Sequence, residues 1–195
     1  KAILSNFSRL LIDPNRSIDD PTSIMRFADK FIIPGNRSIT DQDAMLRIDQ
    51  FYNQYHNKIE EVIISLLNDN IVPILISIHS FTRKFRDKIR PWEISILWDS
   101  DDRISASLID LLERDKNYVI GNNQPYKGYL RGDTLYTHAT SRGLPHVLIE
   151  IRNDLIADDD GQEKIANYLT KKLCQVISIN HKNLSKMKHY GTKSI

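Results

Sequence analysis

Two runs of mostly apolar residues, the first of them largely β-branched, constrain the fold of this chain most strongly. Val72–Ile78 reads VPILISI, and Trp92–Trp98 reads WEISILW. Such runs are typical of strands in a parallel sheet, because both faces of those strands are covered. The chain has 195 residues, which is long enough for one domain around a single large core.

Segments with helical periodicity alternate with the predicted strands. Thr40 is predicted to cap a long helix that ends near Asn68, and Asp158 is predicted to cap the last helix. Gly143 is expected to end a helix over Thr134–Ser141. The remaining predicted elements are a helix capped by Asp99–Ser100 and the strands Ala2–Leu4, Arg9–Asp13, Tyr118–Ile120 and Pro145–Arg152. This alternation predicts an α/β fold, with a mixed, mostly parallel sheet flanked by helices on both faces.

Charge and cysteine content exclude several classes of protein. The chain has 27 basic and 25 acidic residues, and four of its lysines lie in residues 181–195, where there is no acid. The rest of the chain therefore has a net charge of −2, which argues against a nucleic-acid-binding surface. Cys174 is the only cysteine, so no internal disulfide can form. There is no signal peptide and no membrane-spanning apolar stretch, so we expect a cytoplasmic protein.

Polar residues that follow or interrupt the strands are the candidates for chemistry, since open α/β sheets bind ligands at the carboxyl ends of their strands. His79 follows the first apolar run and could ligate a metal ion or could bond a neighbouring carbonyl group. Glu150 interrupts the apolar strand HVLIEIR, where a carboxylate is costly unless it is paired or used. It is therefore either a general base or the ion-pair partner of an arginine such as Arg152.

Asn15 and Arg16 follow the predicted turn at Asp13-Pro14. An amide beside a guanidinium suits a substrate carboxylate, although a surface arginine explains the same pattern. His56 is interpreted as structural, whereas His138 and His146 could line a pocket. The sequence contains no H-E-x-x-H motif, phosphate-binding glycine loop, G-x-S-x-G motif or cysteine pair.

Taken together, these segments resemble the N-formylglutamate amidohydrolase family. The resemblance extends in order from Phe7 to about Cys174, and its most distinctive stretches are FSRLLIDPNR, IPGNR, YNQYH, SIHSFT, PWEI, NQPY and residues 138–155. The family is similar in fold and chemistry to zinc carboxypeptidases and acyl-amino-acid deacylases.

The resemblance implies zinc-dependent hydrolysis of the amide bond of N-formyl-L-glutamate or a close N-acyl amino acid, in histidine degradation. It implies that His79 is a zinc ligand and that Glu150 is the base that activates the attacking water. Asn15 and Arg16 would hold the substrate carboxylate, and Arg9 or Arg152 would shape the pocket. We expect His79, Glu150 and Arg16 to converge on one cleft. No nucleic acid or membrane partner is expected.

Two departures from the family pattern matter for this prediction. The family's first metal ligands lie upstream of the segment Asn6–Arg9, so we expect the remaining zinc ligands upstream of Lys1 and expect the chain as it stands to be inactive. Gln124 stands where relatives often have glutamate, which bears on the choice of substrate. A related deacylase or peptidase with another acyl preference, and a metal-free ligand-binding derivative, are the alternatives.

The predicted organisation is a single hydrolytic α/β domain over residues 1–180, without its N-terminal segment. A basic tail follows over residues 181–195, and we expect it to be solvated and frayed.

Overall fold

The computed structural model describes residues 1–28 and 30–194, and it divides into two compact units. The first unit contains Lys1–Ile71 and Arg131–His138, and the second contains Val72–Leu130 and the chain from Ala139 onwards. The second unit carries the sheet and the main apolar core. The prediction of a single domain over residues 1–180 stays a prediction.

Most of the first unit's regular structure is helical. Helix α1 (Asp41–Arg47) continues through a π-helical turn (Ile48–Tyr52) into α2 (Asn53–Asn68). The cap predicted at Thr40 is confirmed, because its side chain accepts a hydrogen bond from the Asp43 backbone N–H. The unit also contains a two-stranded hairpin of β1 (Phe27–Ala28) and β2 (Phe31–Ile32), and the short helix α4 (Thr134–His138).

Asn36 holds the loops of the first unit together. Its side-chain amide is buried and donates to the backbone oxygens of Leu10, at 2.7 Å, and Met25, at 2.8 Å. The Asn36 carbonyl oxygen accepts from Arg47 Nη1 at 2.6 Å, and the same nitrogen of Arg47 donates to the Leu11 oxygen at 2.8 Å. Since every one of these groups is polar and partly buried, the hydrogen bonds offset the cost of removing them from water.

A four-stranded mixed sheet forms the centre of the second unit. The strands are β3 (Leu75–Phe81), β6 (Ile94–Leu97), β7 (Ile120–Asn122) and β8 (His146–Arg152), in the order β3-β8-β6-β7. The pairs β3–β8 and β6–β7 are parallel, whereas β6–β8 is antiparallel. The hairpin formed by β4 (Lys84–Phe85) and β5 (Lys88–Ile89) follows β3.

The apolar core lies between this sheet and two helices, α3 (Ser105–Asp115) and α5 (Asp159–Leu184). Fully buried isoleucines of the sheet, such as Ile96 and Ile149, pack against Leu108 and Leu112 of α3 and Val176 of α5. The predicted α/β class, with a mixed sheet flanked by helices, is confirmed. The predicted cap of α5 is confirmed as well, since Asp158 accepts from the Gly161 N–H at 2.8 Å.

Several local predictions are wrong. The segments Ala2–Leu4 and Arg9–Asp13 are not strands. Both faces of β6 are covered as expected, but β3 is an edge strand of the four-stranded sheet, and its Ile78 is 56% exposed. Helix α3 begins at Ser105 and has no side-chain cap, so the caps predicted at Asp99–Ser100 are not used.

The basic tail is bound to the second unit through residue 193, which contradicts the expectation of a frayed terminus. Helix α5 runs to Leu184, past the predicted boundary at residue 180. Farther along, the backbone N–H of Lys188 donates to the Gly143 oxygen at 2.8 Å, and the N–H of Lys193 donates to Asp99 Oδ1 at 2.7 Å. Arg103 donates to the Lys186 backbone oxygen at 2.6 Å. The carbonyl and carboxylate acceptors, which sequence inspection does not reveal, hold the tail in place.

The longest helix, α5, carries exposed charged residues such as Lys171, and its buried Lys172 pairs with Asp115 at 2.6 Å. In the part of the chain that the structure describes, no helix combines the length and the apolar character needed to cross a membrane.

Candidate active site

His79 and Glu150 occupy directly opposite positions on the parallel strands β3 and β8. Opposite residues on paired strands project from the same face of a sheet, so the imidazole and the carboxylate are neighbours. The imidazole is half-buried, and its Nε2 lies 3.0 Å from Ser77 Oγ on the same strand. The structure therefore brings together two of the residues that the sequence singled out.

Glu150 is buried, with 7% of its surface exposed, in a strand whose first six residues are all buried. The alternative of an ion pair between Glu150 and an arginine stays a prediction, and Arg152 is not that arginine because it has other partners. Arg152 instead donates to Asp154 at 2.6 Å and to Glu93 at 3.3 Å. The hydrogen bond from Arg152 lowers the pKa of Asp154 from its ordinary value of 3.8. The carboxylate of Glu150 thus lies within the sheet, and Arg152 does not neutralise it.

His79 and Glu150 belong to a row of residues that lie opposite one another on neighbouring strands. The row continues across the sheet through Ser95 on β6 and Gly121 on β7. Ser95 is fully buried, and its Oγ has no hydrogen-bond partner among the described residues. A Cβ atom on Gly121 would collide with that oxygen and would lie 2.8 Å from the Gln124 carbonyl oxygen. The row therefore passes from an imidazole and a carboxylate to two small residues.

Arg9, Asn15 and Arg16 belong to the first unit. Arg9 is exposed and donates to the buried Asp13 carboxylate at 2.6 Å. The Asn15 side-chain oxygen accepts from the backbone N–H of Thr134 at 3.1 Å, so this amide holds the start of α4. Arg16 is half-buried, and its guanidinium makes one long hydrogen bond of 3.4 Å to the Asn15 backbone oxygen. Of these three residues, Arg16 has the side chain with the weakest protein contacts, and its convergence with His79 and Glu150 stays a prediction.

Two histidines that the sequence analysis left in structural or lining roles form a buried pair in the first unit. His56 Nδ1 lies 2.8 Å from His138 Nε2, and His56 Nε2 lies 2.9 Å from the Pro14 backbone oxygen. Burial lowers the pKa of His56, which favours the neutral ring. Because the Pro14 oxygen can only accept, His56 donates from Nε2 and accepts at Nδ1 from His138. His138 Nδ1 in turn faces Glu60 at 3.4 Å. The pairing joins residues 82 positions apart, which no local pattern could predict.

His146 has a structural role. Its Nδ1 lies 2.8 Å from the Leu144 backbone oxygen, and its Nε2 lies 3.2 Å from the Thr140 hydroxyl group. Both ring nitrogens are thus occupied at the beginning of β8, four residues before Glu150. These two hydrogen bonds satisfy the buried ring of His146, so its burial does not require a role in substrate binding.

The sequence profile of the N-formylglutamate amidohydrolases matches residues 1–157, which is most of the chain. The chain belongs to the N-formylglutamate amidohydrolase family. The matched region contains all of the residues of the predicted site, including His79, Glu150 and Arg16.

A solved structure supports the fold assignment of this N-formylglutamate amidohydrolase family member. The crystal structure of gene product Atu2144 from Agrobacterium tumefaciens is 32% identical in sequence and superposes with a TM-score of 0.83. The match covers 88% of this chain and 68% of that chain. No curated protein matches this sequence significantly.

The described residues by themselves do not fit a zinc centre. A catalytic zinc ion is held by about three protein ligands, usually histidine and acidic side chains. In residues 1–28 and 30–194, no group of three or more histidine, cysteine, aspartate or glutamate side chains is arranged to hold a metal ion. His79 and Glu150 are adjacent, but they supply fewer ligands than such a centre needs.

Proposed function

We propose that this protein hydrolyses the amide bond of N-formyl-L-glutamate or of a close N-acyl amino acid. The products are formate, or another carboxylic acid, and the free amino acid. The observation that carries the proposal is the buried carboxylate of Glu150 beside the imidazole of His79, in a chain that belongs to an amidohydrolase family.

Glu150 acts as the general base in this proposal. It takes a proton from the attacking water molecule and delivers that proton to the nitrogen of the leaving amine, so the carboxylate is regenerated after each turnover. The rigid strand β8 fixes the carboxylate in position, and the apolar strand around it limits competing contacts with solvent. His79 lies at the same level of the sheet, next to the reacting groups.

A zinc requirement belongs to the same proposal, with His79 as one ligand. The other ligands would come from outside the row of His79, Glu150, Ser95 and Gly121, because that row contains one imidazole and one carboxylate. The half-buried imidazole on a rigid strand, with Ser77 beside Nε2, supports His79 in this role.

Arg16 and Asn15 bind a substrate carboxylate in the proposal. The guanidinium of Arg16 makes a single long contact to the protein, so most of its donors remain for a ligand. Arg9 and Arg152 are already paired with carboxylates, and they shape the surroundings rather than contact the substrate directly.

Turnover by the full-length protein tests the proposal. The protein, supplied with zinc, is incubated with N-formyl-L-glutamate, N-acetyl-L-glutamate and a dipeptide, and the released acid and amine are measured. We expect equal amounts of formate and glutamate from the formyl substrate. Hydrolysis of only the other substrates would favour the related deacylase or peptidase, and binding without turnover would favour the metal-free derivative.

Metal analysis tests the role of His79 separately. We expect about one zinc ion per chain of the full-length protein and a clear loss of zinc in His79→Ala. His181→Ala is the matched control, because His181 is exposed and lies in the last turns of α5. Equal zinc contents in wild type, His79→Ala and His181→Ala would exclude His79 as a ligand.

A further inference from the structure

Arg90 is a buried cation without a carboxylate partner. Only 8% of its surface is exposed, although the eight residues before it are all exposed. Its Nη1 makes two long hydrogen bonds, both of 3.4 Å, to the backbone oxygen and the hydroxyl group of Thr82. No ion pair joins Arg90 to any acid in the described part of the chain. Burying a charge is costly unless it is paired, so this guanidinium calls for an anion.

Three aromatic rings hold the guanidinium in place. Its central carbon lies 4.7 Å from the ring centre of Phe85, 5.0 Å from that of Tyr126 and 6.0 Å from that of Phe81. Cation–π attraction offsets part of the lost hydration and fixes the plane of the group. It leaves the Nε and Nη2 donors at the edge of that plane for another partner, since only Nη1 donates to the protein.

Those donors remain accessible to a ligand. Nε and Nη2 of Arg90 donate to no described residue. Neither nitrogen is fully buried, so each retains contact with solvent. Together they form the two-pronged donor face that matches the two oxygens of a carboxylate.

The guanidinium lies on the same face of the sheet as the proposed catalytic groups. Phe81 is two residues beyond His79 on β3 and is opposite Arg152, which is two residues beyond Glu150 on β8. Side chains two residues apart share a face and are separated by about 7 Å along the strand. The guanidinium of Arg90 lies over the Phe81 ring, so it is about 7 Å along the strand direction from the row of His79 and Glu150.

We propose that Arg90 binds the side-chain carboxylate of an acidic N-acyl amino acid and so determines the preference for a glutamate substrate. The inference rests on the proposed function. The side-chain carboxylate of glutamate is two bonds farther from the scissile amide nitrogen than the α-carboxylate is, and it reaches the next step along the sheet from the reacting row. A neutral side chain would leave the buried guanidinium without a partner, which penalises the wrong substrate.

Paired substrates test this proposal in the full-length protein. Values of kcat/KM are measured for N-formyl-L-glutamate and N-formyl-L-glutamine with wild type, Arg90→Met and Arg90→Lys. We expect Arg90→Met to lose about 10- to 100-fold on the acidic substrate, since a charged hydrogen-bonded pair is lost, and to change little on the neutral one. Arg90→Lys keeps the charge but not the planar donor pair, so its loss should be intermediate.

Arg86→Met is the matched control, because Arg86 is exposed and lies 5.3 Å from the same Phe85 ring. We expect it to keep the wild-type preference. An equal fall on both substrates in Arg90→Met, together with a lowered Tm, would show a packing role and overturn the proposal. Preserved preference in Arg90→Met would also overturn it.

A binding measurement separates the failure of this proposal from the failure of the proposed function. If wild type hydrolyses neither substrate, the proposed function fails, and calorimetric titration with glutarate decides the role of Arg90. We then expect glutarate to bind wild type and Arg86→Met at least 10-fold more tightly than Arg90→Met. Absence of glutarate binding to wild type, or equal binding to all three proteins, would overturn the proposal.

Discussion

The contact between Gly121 and Ser95 gives a sharp test of the strand register on which the candidate site depends. Gly121→Ala adds a methyl group that collides with Ser95 Oγ and approaches the Gln124 carbonyl oxygen to 2.8 Å. Overpacking of this kind costs about 1–3 kcal/mol, and the backbone contact with Gln124 places the expected loss in the upper half of that range.

Ser95→Ala should instead increase the free energy of unfolding. The Ser95 hydroxyl is fully buried and has no hydrogen-bond partner in the described part of the chain. Removing an unsatisfied buried hydroxyl group recovers part of its desolvation cost, so we expect a gain of about 1 kcal/mol. The double variant has no Ser95 Oγ for the new methyl group to collide with. We therefore expect it to be about 1 kcal/mol more stable than the sum of the two single changes predicts.

Urea unfolding followed by circular dichroism measures all four corners of this double-mutant cycle. A coupling energy near zero, with Gly121→Ala tolerated, would show that Ser95 and Gly121 are not neighbours. Since Ser95 is also opposite Glu150, that result would remove the geometric basis of the row.

Three further predictions concern substrate binding, acid stability and the buried ion pair. Arg16→Ala should raise KM more than it lowers kcat, because a carboxylate clamp contributes similarly to substrate and transition-state binding; steady-state kinetics that show a fall only in kcat would contradict this role. The pKa of Asp154 is lowered in the folded state, so its stabilisation is present above pH 3.8 and is lost as the pH falls through the folded-state pKa; unfolding of Asp154→Asn across this range should show a weaker acid dependence than wild type. Arg103→Met should cost about 3–5 kcal/mol in urea unfolding, because it leaves the buried Asp101 without its partner at 2.6 Å, and a loss below about 1 kcal/mol would contradict that pairing.

Elements with strong local signals could be predicted from the sequence. The cap at Thr40, the cap at Asp158 and the strand with the sequence HVLIEIR each depend on residues close in the chain, and the structure confirms them. The short apolar run Ala2–Leu4 is not a strand, since a strand also needs a partner that no local pattern specifies. The predicted cap at Asp99 is wrong for a similar reason: its carboxylate accepts hydrogen bonds from Thr192 and Lys193, far along the chain.

The residues of the candidate site also divide into those with a local sequence signal and those that depend on contacts between distant parts of the chain. His79 and Glu150 were identifiable because each is a polar residue that follows or interrupts an apolar strand. Ser95, by contrast, gains its meaning from the pairing of β6 with β8, and Arg90 from rings contributed by three separate segments. Such features depend on strand register and loop placement, which arise from contacts between distant parts of the chain.

Glu150→Gln tests the proposed role of Glu150 as the general base most directly, because glutamine keeps the shape of the side chain and removes its basicity. In the full-length protein, we expect turnover of N-formyl-L-glutamate to fall by at least about 10²-fold, with zinc content, Tm and substrate binding unchanged. Turnover close to that of the wild type in Glu150→Gln would contradict the account.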